Sequence, residues 1–317
     1  MSTKTRLNLT KPKRGIKLTP KSQSKTTSST SHPHPARPYH TWQGNNTICC
    51  DGRIIGGPQK QNFVYTLILI VVPSLCFIGG VCVNYIREYQ QFYVLIVYLL
   101  LLTSSLVAFA LTAFSDPGII PRGILPPEVE TAYKGPVHIK QRLCIGGKLV
   151  EIKWCSTCHV FRPPRSFHCY ICNNCVERFD HHCPWIGNCI GLRNYAYFSF
   201  FVNTLQLVCV WALFHCVWIL YLRATSDAVA DRTAWRQFVF ALKYEYMAFV
   251  TGIFVFIAMW FVIGLTWFHW FLVFVGKTTN EQVDRFSFRI LNAHEFLQFQ
   301  SSDLFGICHL NFDCTFR

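Results

Sequence analysis

Negative charge is scarce in this sequence. Asp and Glu number 16 against 30 Lys and Arg in 317 residues, and only 15% of the chain is charged. The formal charge of +14 first suggests a nucleic-acid binder. Such proteins are rich in both charge signs and poor in long apolar runs, whereas 51% of this chain is apolar. No repeat period runs through it, which excludes collagen-like and repeat architectures, and 16% aromatic residues exclude a disordered chain. Met1–Lys60 has no apolar core, so no signal peptide is expected. Residue 2 is Ser, so N-myristoylation is not expected either. Met1–His40 contains no acidic residue and is rich in Lys, Ser, Thr and Pro. It reads as a disordered arm, either solvated or touching anionic lipid at about 1 kcal/mol per basic residue.

Charge is absent altogether from four stretches: Phe63–Ile86, Phe92–Phe114, Ala196–Leu222 and Met247–Val275, of 24, 23, 27 and 29 residues. An apolar helix of about 20 residues crosses the hydrocarbon core. Four transmembrane helices are therefore expected. Charge placement orients them. Residues 1–62, 115–195 and 276–317 carry 25 of the 30 basic residues, and the alternate segments 87–91 and 223–246 carry one and four. By the positive-inside rule both termini and the long central loop are cytosolic. The expected layout is a basic, largely disordered arm (1–62), transmembrane helices 1 and 2 (63–114), a cytosolic domain (115–195), transmembrane helices 3 and 4 (196–275) and a cytosolic tail (276–317). Segment 223–246, with Trp235, Phe238, Val239 and Leu242 at helical spacing, reads as an interfacial helix on the opposite side.

Seven of the sixteen cysteines fall between Cys155 and Cys189, in the order Cys155-x2-Cys158-x9-His168-Cys169-x2-Cys172-x2-Cys175-x4-Asp180-His181-His182-Cys183-x5-Cys189. A reducing cytosol disfavours a disulfide framework, and Cys-x2-Cys pairs followed by His have zinc spacing. Two structural Cys3His sites use six thiolates and two imidazoles. This block has seven Cys and three His in its dense part, with His159 a further candidate. One thiol and one imidazole are left over, the raw material of a nucleophile with its base. Asp180 adds the carboxylate that orients a base in a triad. Spacing alone leaves open which of His181 and His182 binds metal, and which cysteine is free.

Asp180-His181-His182-Cys183 inside a cysteine-rich block resembles the DHHC protein S-acyltransferases, which attach palmitate to cysteines. Cys189, Asn194 and Phe198 follow at the family spacing. Asp116-Pro117-Gly118 after the second span and Thr278-Thr279-Asn280-Glu281 after the fourth match the family's DPG and TTxE motifs. The likeness covers roughly residues 63–285, and the segment containing Gly44-Asn45-Asn46 and Gly52-Arg53 resembles the juxtamembrane region of plant members.

The resemblance implies an all-α polytopic membrane protein, four helices with a cytosolic two-zinc domain between helices 2 and 3. Cys155, Cys158, His168 and Cys175 would bind one structural zinc. Cys169, Cys172, His182 and Cys189 would bind the other. Cys183 would take a palmitoyl group from acyl-CoA as a thioester and pass it to cysteines of membrane-associated proteins. His181 would be the general base, Asp180 its orienter, Thr279 the support of Asp180, and Trp185 part of the acyl cavity. The partners are then acyl-CoA, substrate proteins and the bilayer, with no nucleic acid, in the endomembrane system or plasma membrane. The chain departs from the family at Asn292–Arg317, where the usual C-terminal motif is not matched. The alternative reading is a catalytically impaired zinc-binding membrane adaptor.

Other features have plainer readings. Lys153, Arg162, Arg165 and Arg178 are candidates to meet CoA phosphates, but a positive-inside loop predicts the same residues. His215 and His269, inside spans without charged sequence neighbours, read as packing histidines. Cys49 and Cys50 are either acceptors of acylation or an incidental pair, and Cys76, Cys82, Cys209 and Cys216 read as small apolar packers.

Overall fold

A computed structural model describes residues 43–123, 140–145 and 148–283. The arm Met1–His40 and the tail Asn292–Arg317 lie outside the described residues. Four helices are long and apolar enough to cross a membrane: Lys60–Tyr89, Tyr93–Phe114, Tyr195–Ala224 and Tyr246–Phe274. The Cys- and His-rich region lies between the second and third.

The first span shows how an apolar helix accommodates breakers. Pro73 sits inside it, and Ile78–Cys82, around the Gly79–Gly80 pair, forms a π-helical turn. A β-carbon on Gly80 would stand 2.5 Å from the Met247 β-carbon, so that turn lets the first and fourth spans meet closely. Sparse polar bonds tie the bundle together. Tyr98 donates to Ser74 Oγ at 2.9 Å between the first two spans. Trp211 Nε1 donates to the Val94 carbonyl at 3.2 Å between the second and third, and Trp270 Nε1 to Asn203 at 3.0 Å between the third and fourth. Each such bond contributes about 0.6 kcal/mol in a membrane. Phe77, Tyr85, Phe109, Phe198, Ile219 and Leu272 fill the interior, while Trp260, Phe261, Trp267 and Phe274 face outward. Outward aromatics on this scale suit lipid, not water.

Arg223 closes the end of the bundle remote from the cysteines. Its guanidinium grips Glu88 at 2.6 and 2.7 Å and Glu245 at 2.6 and 3.0 Å, and Asn84 donates to Glu245 at 2.7 Å. Glu245 is 1% exposed, yet both of its oxygens are bonded. The helix Ala234–Tyr244 precedes the fourth span and exposes Trp235, Phe238 and Val239, as their spacing predicts.

The region between the second and third spans is not helical. It is built from hairpins: β3 (Lys140–Ile145), β4 (Lys148–Cys155) and β5 (Val160–Phe161) in one sheet, β6 (Phe167–Cys169) with β7 (Asn174–Val176), and β8 (His181–Cys183) with β9 (Asn188–Ile190). The chain remains mostly helical, and the strands have a local cause. A block with a ligand every third residue and few large apolar side chains folds around its ligand clusters instead of an amphipathic helix face.

Residues 43–59 fall within the segment read as a basic arm, and they are folded. β1 (Thr47–Cys49) and β2 (Ile54–Gly56) form a hairpin that packs on the Cys/His region. Asn45 bonds the Cys172 and Ile171 carbonyls at 2.9 and 2.8 Å. Asn46 is buried between Asn174 and Asn188. Arg122 reaches the Asn173 carbonyl at 2.6 Å and the Thr157 carbonyl at 3.3 Å. Composition averaged over 62 residues hides a segment held by four asparagines, Asn45, Asn46, Asn174 and Asn188.

Candidate active site

The hairpin registers set the ligand geometry. In β6–β7 His168 stands opposite Cys175, and in β8–β9 His182 stands opposite Cys189. Cys155 ends β4, and Cys158 lies in the turn that follows. His168 Nδ1 is 3.5, 3.4 and 3.7 Å from the sulfurs of Cys155, Cys158 and Cys175. His182 Nδ1 is 3.6, 3.4 and 3.6 Å from those of Cys169, Cys172 and Cys189. Ligands at about 2.3 Å (S) and 2.05 Å (N) from one tetrahedral ion are themselves about 3.6 Å apart. Both clusters therefore fit an ion of zinc's size, and either could hold one. His159, the further candidate, belongs to neither cluster. The clusters interlock, because the adjacent residues His168 and Cys169 serve different ones.

Gln59, just before the first span, was not foreseen as a site residue. Its Oε1 is 3.0 Å from His182 Nε2. An amide oxygen only accepts, so the imidazole proton is on Nε2 and Nδ1 is left as the ligand atom.

With eight residues in the two clusters, one cysteine and one histidine of the dense block remain, and the fold brings them together. Cys183 and His181 are two apart on β8, so their side chains share a face. The thiol is near enough to help raise the His181 pKa. Cys183 is 5% exposed and packs with Ile186 and Ile190 into the same apolar cluster as the spans. On its other nitrogen His181 meets Asp180, Nδ1 to Oδ2 at 2.7 Å. Asp180, 2% exposed, accepts Thr279 N at Oδ1 (2.9 Å) and Thr279 Oγ1 at Oδ2 (2.7 Å). The Asp180 carbonyl accepts Asn280 N at 3.1 Å.

Those contacts fix the charges. Burial works to raise the Asp180 pKa, but hydrogen bonds from His181 and Thr279 outweigh it and hold the carboxyl below its ordinary range. Burial likewise works against a charged His181. The hydrogen bond to Asp180 and the nearby Cys183 thiol prevail and carry its pKa up to about 9.

The two flanking motifs are locked in place by the chain's own hydrogen bonds. Thr278 and Glu281 cap each other reciprocally, Thr278 N to Glu281 Oε2 at 2.9 Å and Glu281 N to Thr278 Oγ1 at 3.3 Å. Arg165 grips Glu281 at 2.5 and 2.8 Å and the Gly276 carbonyl at 3.0 Å. That arginine, a candidate for CoA phosphate, is thus engaged by the fourth span's exit. Asp116 Oδ1 accepts Gly118 N and Ile119 N at 2.8 Å each, while Oδ2 pairs with Arg193. Asn188, opposite Cys183 in the register, donates to the carbonyls of Ile55 and Ala113 at 3.2 and 3.0 Å. Asn194 ties the start of the third span to Thr112 and Cys189.

Trp185 is anchored through its carbonyl, which accepts Thr66 Oγ1 at 2.7 Å, while its side chain is 63% exposed beside the first span. His215 is packed among Tyr85, Tyr93, Trp211 and Phe214, and neither ring nitrogen has a partner among the described residues. That agrees with a packing role. His269 does not. Its sequence neighbours carry no charge, but folding brings it within 4.8 Å of the Asp180 carboxylate and the His181 imidazole. The packing reading of His269 is corrected accordingly. Its signal in the sequence was a polar residue deep in an apolar span.

Comparison with known proteins agrees with this geometry. The family model for the DHHC palmitoyltransferase matches residues 148–285. Protein S-acyltransferase 8 of Arabidopsis thaliana is 39% identical over 263 residues, covering 78% of this chain and 63% of the relative. Probable protein S-acyltransferase 7 of the same plant is 38% identical over 260 residues, covering 77% and 57%. Palmitoyltransferase ZDHHC9 of Homo sapiens is 37% identical over 261 residues, covering 78% and 68%. Matched to these two plant relatives, the chain spans 57% to 63% of their length. With the motif block, the four spans and these relatives in agreement, the chain belongs to the DHHC palmitoyltransferase family.

Proposed function

We propose that this protein is an S-acyltransferase that moves a palmitoyl group from acyl-CoA to cysteines of membrane-associated proteins. The observation that carries the reading is the His181–Asp180–Thr279 chain of hydrogen bonds beside Cys183 on the same strand, assembled from the Cys and His left outside the two metal clusters.

The steps follow from the donors and acceptors. Asp180 keeps the His181 proton on Nδ1 and frees Nε2 to face the thiol. His181 takes the Cys183 proton, and the thiolate attacks the thioester carbonyl of acyl-CoA. At a pKa of about 9 the imidazole keeps that proton near neutrality. It then passes it to the departing CoA thiolate, leaving the acyl group on Cys183. For the second transfer His181 takes the proton of an acceptor cysteine. That thiolate attacks the acyl-enzyme, and Cys183 regains a proton. Removing a general base of this kind costs about 10²- to 10⁴-fold.

Cys155, Cys158, His168 and Cys175 would hold one zinc, and Cys169, Cys172, His182 and Cys189 the other. Each set supplies four ligands, so a bound zinc would brace the hairpins, and the transfer would be left to Cys183, His181 and Asp180. Cys183, packed with core residues of the spans, stands where an acyl chain can stay in an apolar phase while CoA stays in water. Each buried CH2 favours that arrangement by about 0.8 kcal/mol. Trp185, exposed beside the first span, would line the entry for that chain. The charge bias puts this site, both termini and the central loop on the cytosolic face of an endomembrane or plasma membrane.

The test is incubation of the purified protein with labelled palmitoyl-CoA. A hydroxylamine-sensitive label is expected on the wild type and none on Cys183→Ser, with two zinc ions per chain in both. Equal labelling of Cys183→Ser would overturn the assignment.

A further inference from the structure

The fourth span touches the Asp180–His181 pair twice. Below the membrane it does so through Thr279, and ten residues earlier, inside the span, through His269. The second contact lies outside the Thr278–Glu281 motif.

His269 is 3% exposed. Its ring lies 5.9 Å from the His181 ring, tilted by 39°, and 4.9 Å from Phe198 in an edge-to-face arrangement of 73°. Phe198 itself meets His181 edge to face at 5.4 Å and 72°. The catalytic imidazole is therefore walled by one aromatic ring and one histidine. Packing alone would be served as well by a second phenylalanine. The polar ring has a specific partner: the Tyr195 hydroxyl is 3.2 Å from His269 Nδ1. Tyr195 opens the third span, so this bond crosslinks the third and fourth spans at the depth of the base.

We infer that His269, held by Tyr195, is a positioning residue for the Asp180–His181 pair, fixing the imidazole from the membrane side as Thr279 fixes the carboxylate from the other. The inference rests on the proposed acyl-transfer reading. His181 is fixed at Nδ1 by Asp180, but one hydrogen bond leaves rotation about its own axis free. Phe198 limits that rotation from one side, and His269 from another. The Tyr195 bond keeps His269 from turning away, since an imidazole in an apolar span seeks any available partner. The effect is on the aim of Nε2 at the Cys183 thiol, and hence on the chemical step more than on acyl-CoA binding.

The experiment uses the full chain in detergent and follows single-turnover formation of the Cys183 thioester from labelled palmitoyl-CoA. Tyr195→Phe and His269→Phe should each slow thioester formation about tenfold, the scale of a misaimed catalytic group. The concentration of palmitoyl-CoA giving half-maximal rate should not change, and zinc should stay at two per chain. The double variant should be no slower than either single one, because both remove the same bond. His269→Asn, whose amide can meet the Tyr195 hydroxyl where Nδ1 does, should recover most of the rate. Wild-type rates in both phenylalanine variants would overturn the inference, as would a His269→Asn protein no faster than His269→Phe. Should His269→Phe fail to fold, Tyr195→Phe removes a single oxygen and gives the same readout. The acyl-transfer reading is judged separately, by whether the wild type forms the thioester at all.

Discussion

At the scale of single residues, the atoms that matter most are those that settle where a proton sits. Gln59 is one. Its amide oxygen can only accept from His182 Nε2, which commits Nδ1 to the second metal cluster. Gln59→Leu keeps the bulk and removes the acceptor. It should weaken metal retention at Cys169, Cys172, His182 and Cys189 about tenfold or more while sparing the other cluster. A chelator titration that reports zinc released per chain checks this, with one ion leaving early and one late. Asp180 plays the same part for His181, a pairing that the family resemblance implied and that the 2.7 Å contact now shows. Gln59 is 123 positions from its partner and could not be paired with it from spacing. His269 was misread for the same reason. A residue's charged neighbours in space are not its neighbours in sequence, and a span with no ionised residue of its own still abuts Asp180.

Among the elements, the four spans were readable residue by residue, since the lipid phase excludes charge over about 20 consecutive positions. The strands were not. β6–β7 and β8–β9 are three residues each and are held by their ligands, so they carry no alternating pattern to detect. Charged residues at the span ends also have unequal roles that composition does not rank. Glu245 is buried and shares Arg223 with the more exposed Glu88. Arg223→Met would leave the Glu245 carboxylate buried with only Asn84, and breaking a buried pair in this way costs about 3 kcal/mol. Glu88→Gln should cost under about 1 kcal/mol, as for exposed pairs. Thermal unfolding in detergent should therefore show a clear drop in midpoint for the first variant and little for the second.

On the scale of the whole molecule, two parts with different sources of stability meet at Cys183. The bundle is held by apolar packing and sparse polar bonds, and the hairpin region is gathered around two Cys/His clusters that could each hold a metal ion and is tied by asparagine contacts. Removing zinc should separate them. With a strong chelator, the helical circular-dichroism signal should persist while thioester formation on Cys183 is lost, because metal binding is folding free energy for the hairpins and not for the spans. Restoring zinc should recover labelling. A collapse of the helical signal in step with zinc loss would show instead that the spans depend on the hairpin region.

The sequence by itself determined the four spans, a count of ligands for two clusters with one thiol and one imidazole to spare, and the side of the membrane that the charge bias favours, while the membership of each cluster came only from the family resemblance. These follow from local rules: the lipid's intolerance of charge, ligand spacing within a turn, and adjacency along the chain. Only the tertiary structure decided that Gln59 orients His182, that residues 43–59 hold a folded hairpin seated on the Cys/His region, that Arg165 is taken by Glu281, and that His269, bonded to Tyr195, stands against the His181 ring. Each of these joins residues 70 to more than 120 positions apart, and a contact of that separation exists only once the spans have packed.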